Sequence, residues 1–340
     1  MALYPNLLMF LTGATKLWVS FAEGFFAISG FFIGFLYRKK IRESFGLVAK
    51  KLLKRSFYLY LWSIFLTILF TYWGNMLPRG SVKESLWILK PDNLLEFFVK
   101  TLTFQYNYGW ADILPVYTVL IFLSIGGLWL VSKRKGALLM LISCLFWYLW
   151  RAKSIAFAVL PLYSGGLLIG YNYAKIKYYF TRLGKDRTFK LRTILYGSFL
   201  LTLAINLYMT FGFSKFVSQF SNADFWLGKQ RILNWYFDKQ TVGLARLLLS
   251  PVWILTGYFI FLHYRPFIKK HLGWFLGVFG KNSLYAYIIH AFVIYPVPFF
   301  MSTLSVRGSL VNTVVSIAMV TWVFLFTRLT SESFKGKFDR

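Results

Sequence analysis

The chain has 340 residues, 58% hydrophobic, 21% aromatic and only 15% charged, with a formal net charge of +28 and a mean hydropathy of +0.57. A soluble domain carries about 25% charged residues, so these figures exclude disorder, a disulfide scaffold and an ordinary soluble enzyme. The positive charge is not read as a nucleic-acid signal, because membrane topology accounts for it first.

A helix needs roughly 20 apolar residues to cross about 30 Å of hydrocarbon. Nine stretches fit: 17–37, 55–74, 113–132, 136–150, 155–173, 193–213, 242–264, 283–301 and 309–327. The fold class expected is therefore an all-α polytopic membrane protein, a single domain over 1–340 with no internal repeat. Loop 38–55 carries eight basic residues, and alternate loops together hold 26 against 11. The positive-inside rule then puts the N-terminus outside and the C-terminus in the cytoplasm. Residues 1–16 are apolar without a basic start, so they do not read as a signal peptide. In 41–55, Ile41, Phe45, Val48 and Leu52 recur at helical spacing among Lys and Arg, which predicts a basic amphipathic helix on the cytoplasmic surface. The external loop 75–112 holds a second amphipathic stretch, 92–105, in which Glu96 and Lys100 form an i,i+4 pair.

Glycines mark close helix contacts: Gly24, Gly30 and Gly34 on the first span, and Gly165, Gly166 and Gly170 on the fifth. Pro115, Pro161 and Pro251 fall within spans, where neighbouring helices must satisfy the freed carbonyls. Cys144 is the only cysteine, which removes internal disulfides and thiolate clusters. His263, His271 and His290 are too few for a zinc site of the usual kind, so no metal is expected.

Ionisable groups inside spans are costly and hence candidates for function. Glu23 and Arg246 enter their spans from the outer side, with Asp112 and Asp238 at outer mouths. A Glu23–Arg246 pair would offset the desolvation of both. A static ion pair, or an Arg246 that reaches back to the interface, would give the same pattern. His290 is the only histidine within a span; it is either a hydrogen-bonded packing residue or a general base toward a hydroxyl. His263 and His271 lie among Arg265, Lys269 and Lys270 at the cytoplasmic rim and read as solvated. No dinucleotide, P-loop, zinc-protease or serine-hydrolase motif is present. Composition alone does not separate a transporter from a transferase.

Four stretches carry a resemblance. FAEGFFAISGFFIGFLYRKK (21–40) resembles the second transmembrane segment of the OpgC-type proteins, within the broader acyltransferase family 3 group. ADILPVYTVLIFL (111–123) is similar to their Asp-Val-Leu-Pro-Leu-Tyr span, and FDKQTVGLARLLL (237–249) to their Asp-Lys-x-x-Leu-Gly-x-x-Arg-Leu-Leu segment. LGVFGKNSLYAYIIHAFVIY (276–295) resembles the late Gly-x-x-Ser-Leu helix, and its histidine fits the broader acyltransferase pattern. The resemblance implies an O-acyltransferase of the bacterial inner membrane. It would move an acyl group, succinyl in the OpgC-type proteins, from cytoplasmic acyl-CoA to a periplasmic or cell-envelope glucan, with no bound cofactor. On that reading His290, Glu23 and Asp112 are the catalytic candidates. Arg246 would orient a carboxylate, and Tyr117, Asp238, Lys239 and Ser283 join it as substrate-binding candidates; Pro115 also matches. The family's first span, with its Arg-x-Asp-x-x-Arg-Gly start and a histidine, has no counterpart before Phe21. Nine spans with the N-terminus outside is the family's ten minus the first. Two alternatives stay open: a transporter or flippase for an anionic glycan or lipid, and a non-catalytic relative lacking that span.

Overall fold

The structure, a computed structural model, describes residues 17–76, 93–219, 223–297 and 308–338. Among these residues every regular element is helical. A helix satisfies its backbone donors and acceptors within its own segment, which hydrocarbon demands. The order is α1 Phe21–Tyr37, α2 Lys40–Glu43, α3 Phe45–Met76, α4 Leu94–Leu102, α5 Ile113–Ser132, α6 Gly136–Trp150, α7 Ile155–Tyr171, α8 Tyr173–Arg182 and α9 Lys185–Leu207. Then follow α10 Phe213–Val217, α11 Ala223–Tyr236, α12 Leu244–His263, α13 Arg265–Lys281, α14 Ser283–Ile294 and α15 Ser309–Phe338.

Each apolar stretch lies on a helix. α3, α5, α9 with the π-helical turn after it, α12 and α15 are long and apolar enough to cross a membrane. α7 and α8 form a further candidate, bent by 71° at Asn172, and α1, α6 and α14 are shorter apolar helices. α9 turns Phe189, Ile194, Leu200 and Leu201 outward; in water such a face would be a liability, and in lipid it costs nothing. The chain is an all-α polytopic membrane protein.

Boundaries differ from the sequence expectation where charge and hydropathy disagree. Residues 45–55 form no helix of their own: they run without a break into the apolar part of α3. The only break lies at Ser44, where the backbone is extended (φ −153°) after the short α2. Helix 185–207 likewise begins eight residues before its apolar run. Segment 265–282, read as a basic loop, is the helix α13, opened by a proline in its first turn; one apolar face carries Trp274 and Phe275 against Phe324 of α15, both at 5.2 Å between ring centroids. The expected helix in 92–105 is α4, capped by the Asn93 side chain on the Leu95 N–H at 2.9 Å; the Glu96–Lys100 pair forms, exposed. The readings of residues 1–16, and those parts of 75–112 and 283–308 that fall in 77–92 and 298–307, lie outside the described residues.

The helices gather into two compact units. Among the described residues, unit A takes those within 17–56 and 116–262, and unit B those within 57–115 and 263–338. The partition falls inside α3 and inside α5. In unit A, α1 lies directly on α7. A Cβ at Gly30 or Gly34 would strike the carbonyl oxygens of Tyr163 and Leu167, and a Cβ at Gly166 or Gly170 would strike those of Ala27 and Phe31. The four glycines thus make one reciprocal seam, as small residues do where helices approach in lipid. Gly24 and Gly165 lie outside it, meeting only side-chain tips at 3.9 and 4.0 Å. In unit B, α14 packs on α15 through Ala286, Ile289 and Val323, with Phe279, Tyr285 and Val293 around them.

Candidate functional site

The polar residues singled out above fall into two groups, one per unit. In unit A, α1 opens with Ser20, and the spacing Ser20-x-x-Glu23 is a capping box. Glu23 Oε2 accepts from the Ser20 N–H at 2.8 Å and from the Ser20 hydroxyl at 2.7 Å. Its other oxygen accepts from Arg246 Nε of α12 at 2.5 Å. Arg246 also donates through Nη1 to the Phe237 carbonyl at 3.2 Å and through Nη2 to Ser20 Oγ at 3.4 Å. Both side chains are 3% exposed. The carboxylate and the guanidinium therefore spend their hydrogen-bonding capacity on each other and on two neighbours.

The segment that delivers Arg246 is built by Asp238. Its carboxylate accepts from the Thr241 N–H and the Thr241 hydroxyl, both at 2.7 Å, and its carbonyl accepts from the Gly243 N–H at 3.0 Å. Only glycine fits at 243, because a Cβ there would meet the Tyr236 carbonyl. Val242 takes the left-handed backbone (φ +46°), uncommon and strained for a β-branched residue; its carbonyl accepts from Trp147 Nε1 at 2.9 Å. Asp238 thus shapes the entry of α12. Lys239 is exposed on the same turn. Trp18 stacks on Phe237 at 4.0 Å, and its N–H donates to Asn206 Oδ1 of α9 at 3.1 Å. Tyr117 of α5 shares a 2.5 Å hydrogen bond with Ser29 of α1 and packs against the rings of Phe25 and Phe26.

In unit B, His290 lies on α14, three residues after Tyr287 and hence on the same face; the rings are 6.0 Å apart. His290 Nδ1 is buried without a hydrogen-bond partner among the described residues. The Tyr287 hydroxyl accepts from the Ile113 N–H at the start of α5, at 3.3 Å. Asp112, exposed just before α5, lies within electrostatic reach of that hydroxyl. Ser283 is the exposed first residue of α14, two turns or about 10 Å of rise from His290. In the same unit the Tyr108 ring lies 4.7 Å from Phe70 and 6.0 Å from Tyr295. Burial pushes the Tyr108 hydroxyl above its ordinary pKa.

His290 thus presents a buried ring nitrogen without a hydrogen-bond partner among the described residues, on an apolar helix. A family described as OpgC protein matches residues 6–335. The chain belongs to the OpgC family. No curated protein and no solved structure matches it. The OpgC match spans both units, so it covers the Glu23–Arg246 group and the His290 group alike.

Several site residues escaped the sequence reading. Ser20 carried a signal, its three-residue spacing to Glu23, and Tyr287 carried one, its three-residue spacing to His290. Asn206 and Ser29 carried none: each is a partner across helices, and a single sequence does not record which helices meet; the Phe237 carbonyl, in the turn before α12, is a backbone group with no side-chain signal.

Proposed function

We propose that this OpgC-family protein is an O-acyltransferase of the bacterial inner membrane that transfers an acyl group from cytoplasmic acyl-CoA to a hydroxyl of a cell-envelope glucan. One observation carries the proposal beyond family membership: the buried Nδ1 of His290, without a hydrogen-bond partner among the described residues, on a ring 6.0 Å from that of Tyr287, whose hydroxyl has Asp112 in electrostatic reach. In this reading His290 takes the proton from the sugar hydroxyl as its oxygen attacks the thioester carbonyl. The C–S bond breaks, and the coenzyme A thiolate leaves with the electron pair and takes the proton from the imidazolium. Tyr287 and Asp112 position the imidazole and the incoming hydroxyl. Glu23 and Arg246 act as a positioning pair, since their polar atoms are committed to each other and to Ser20 and Phe237. Asp238 orders the turn before α12. Tyr117, Lys239 and Ser283 remain candidate contacts of substrate.

The bend between α7 and α8 does not favour a transporter. It comes after the 17 residues of α7, about 25 Å of rise, near one face of a bilayer rather than at the midplane where transporters break their helices.

The test uses purified full-length protein in lipid nanodiscs, an acyl-CoA panel and a labelled glucan oligosaccharide. Release of free thiol together with an ester-linked glucan is expected, and His290→Gln lowers the rate by about 10²–10⁴-fold with an unchanged melting temperature. Absence of ester product from every donor, with the protein folded, overturns the transferase reading; glycan movement across sealed vesicles would then support the transporter.

A further inference from the structure

In unit A the chain turns basic twice beyond the Gly34–Gly170 end of the α1–α7 seam. Segments 38–55 and 174–192 hold fifteen basic residues and two acids, Glu43 and Asp186. The positive-inside rule accounts for that charge, but not for the geometry of two arginines, Arg38 and Arg42. The backbone stays right-handed helical through Arg38 (φ −53°, ψ −36°) and Lys39 (φ −84°, ψ −53°) into α2, so Arg38 and Arg42, four residues apart, share a face. Arg42 Nε donates to the Tyr171 hydroxyl at the end of α7, at 3.0 Å, and its guanidinium lies 5.6 Å from the centre of the same ring. Tyr171 thus fixes the direction of Arg42 and takes only one of its nitrogens. Arg38 lies over the Phe35 ring at 4.6 Å, and its Nη1 is buried without a hydrogen-bond partner among the described residues. Among those residues neither arginine pairs with a carboxylate. Two guanidiniums on one face repel each other, and a buried charged donor left unbonded costs more than a neutral one. An anion with several acceptor oxygens, bridging the two, would remove both costs, and the planar guanidinium fork suits phosphate.

α8 sets the depth at which that anion would lie. It leaves α7 at 71°, which turns the chain from a crossing direction toward the plane of the bilayer. At about 100° per residue, Tyr173, Ile176, Tyr179 and Phe180 fall in one arc of α8, and Lys175, Lys177 and Arg182 fall opposite. Tyr173 packs on Phe31 and Phe35 of α1, at 5.7 and 5.3 Å between ring centroids, while Tyr179 and Phe180 are exposed. A helix with an apolar arc opposite a basic one lies at headgroup level. α1 exposes Phe32 and Leu36 just before Arg38, so the arginine pair stands where hydrocarbon gives way to phosphate. A soluble anion gains nothing from these exposed apolar side chains; a lipid covers them.

We propose that Arg38 and Arg42 bind the phosphate of an anionic phospholipid, its head at α2 and α8 and its chains in the bilayer beside α1. The inference does not depend on the transferase reading.

The full-length protein is released from nanodiscs holding equal amounts of phosphatidylglycerol and phosphatidylcholine, and native mass spectrometry counts the lipids retained. Phosphatidylglycerol is expected to stay in preference to phosphatidylcholine. Arg38→Gln with Arg42→Gln lowers that retention at least about tenfold, the worth of a hydrogen bond to a charged group. Arg38→Lys with Arg42→Lys keeps the charge, loses the fork and also lowers it; should the glutamine variant unfold, this one carries the same test. Lys50→Gln with Lys51→Gln removes as much charge from the same basic segment and leaves retention unchanged. Tyr171→Phe releases Arg42 and weakens retention about threefold to tenfold. Equal retention of the two lipids, or a loss at the lysine pair as large as at the arginine pair, overturns the proposal. So does displacement of the lipid by free coenzyme A, which would give the arginines to nucleotide phosphates instead.

Discussion

The two units bury their polar groups differently. In unit A, Ser20, Glu23, Asn206, Asp238 and Arg246 each meet named partners, and α1 meets α7 through glycines with no slack. Among the described residues, Arg38 Nη1 is a buried atom left there without a hydrogen bond. Among the described residues, unit B leaves Ser63 Oγ, Thr101 Oγ1, Tyr108 Oη, His290 Nδ1 and Thr327 Oγ1 in that condition. A satisfied network holds helices in place, whereas a buried donor or acceptor without a partner carries a desolvation cost and calls for an explanation. That contrast is why the imidazole of unit B, and not the carboxylate of unit A, is the group assigned to proton transfer.

The largest effect that could break this comparison lies at the ion pair. Glu23→Gln leaves Arg246 buried with its counter-charge gone, and a loss of about 3–5 kcal/mol is expected. Adding Arg246→Met to it should recover much of that loss, because the apolar replacement is far cheaper than an orphaned charge. A double-mutant cycle on detergent-solubilised protein reads the coupling. A folded double variant that still transfers acyl groups fits a positioning role; a folded but inactive one would move Glu23 back among the proton-transfer candidates.

Next comes the glycine seam. Gly166→Leu drives a side chain into the α1 backbone and should cost about 3 kcal/mol, the upper end for overpacking. Gly165→Ala, one residue along and facing only the tip of Met140, should stay within about 0.5 kcal/mol. Equal losses at both positions would dissolve the α1–α7 contact.

Smaller effects sharpen the description of unit B. Tyr108→Phe removes a buried hydroxyl without a hydrogen-bond partner among the described residues, so stability at neutral pH should change by less than about 1 kcal/mol and in the favourable direction. Its pH signature has a definite sign. The folded phenol ionises above its ordinary value of 10.0, so the unfolded chain loses its proton first. The stability this site contributes is whole below about pH 10 and falls as the pH rises beyond it. Melting curves between about pH 9 and 11 should therefore fall less steeply for Tyr108→Phe than for the unchanged chain. The smallest effect belongs to the exposed Glu96–Lys100 pair on α4: Glu96→Gln should shift stability by no more than about 0.5 kcal/mol, and less in high salt. A larger shift would mean that α4 is held by more than Phe97 and Thr101, its buried residues.

What the sequence determined by itself was whatever short-range chemistry controls. Runs of apolar residues long enough to leave water placed the apolar helices, and of the glycines read as packing faces, Gly24, Gly30 and Gly34 with Gly165, Gly166 and Gly170, four lie in a close contact while Gly24 and Gly165 lie outside it. Glu23 and Arg246 stood out since charge in hydrocarbon needs a partner, and those two were the natural choice. Helix ends were less legible. Phe45 rather than residue 55 begins α3, and α13 hides in a basic stretch, because hydrogen bonding continues a helix regardless of which solvent surrounds its side chains. Only the tertiary structure decided which helices touch. It gave Arg246 to Ser20 and the Phe237 carbonyl as well as to Glu23, set Asp238 to building a turn, and left His290 Nδ1 without a hydrogen-bond partner among the described residues. These outcomes depend on residues far apart in the chain arriving at the same place, and that arrival is governed by packing, which no local pattern records.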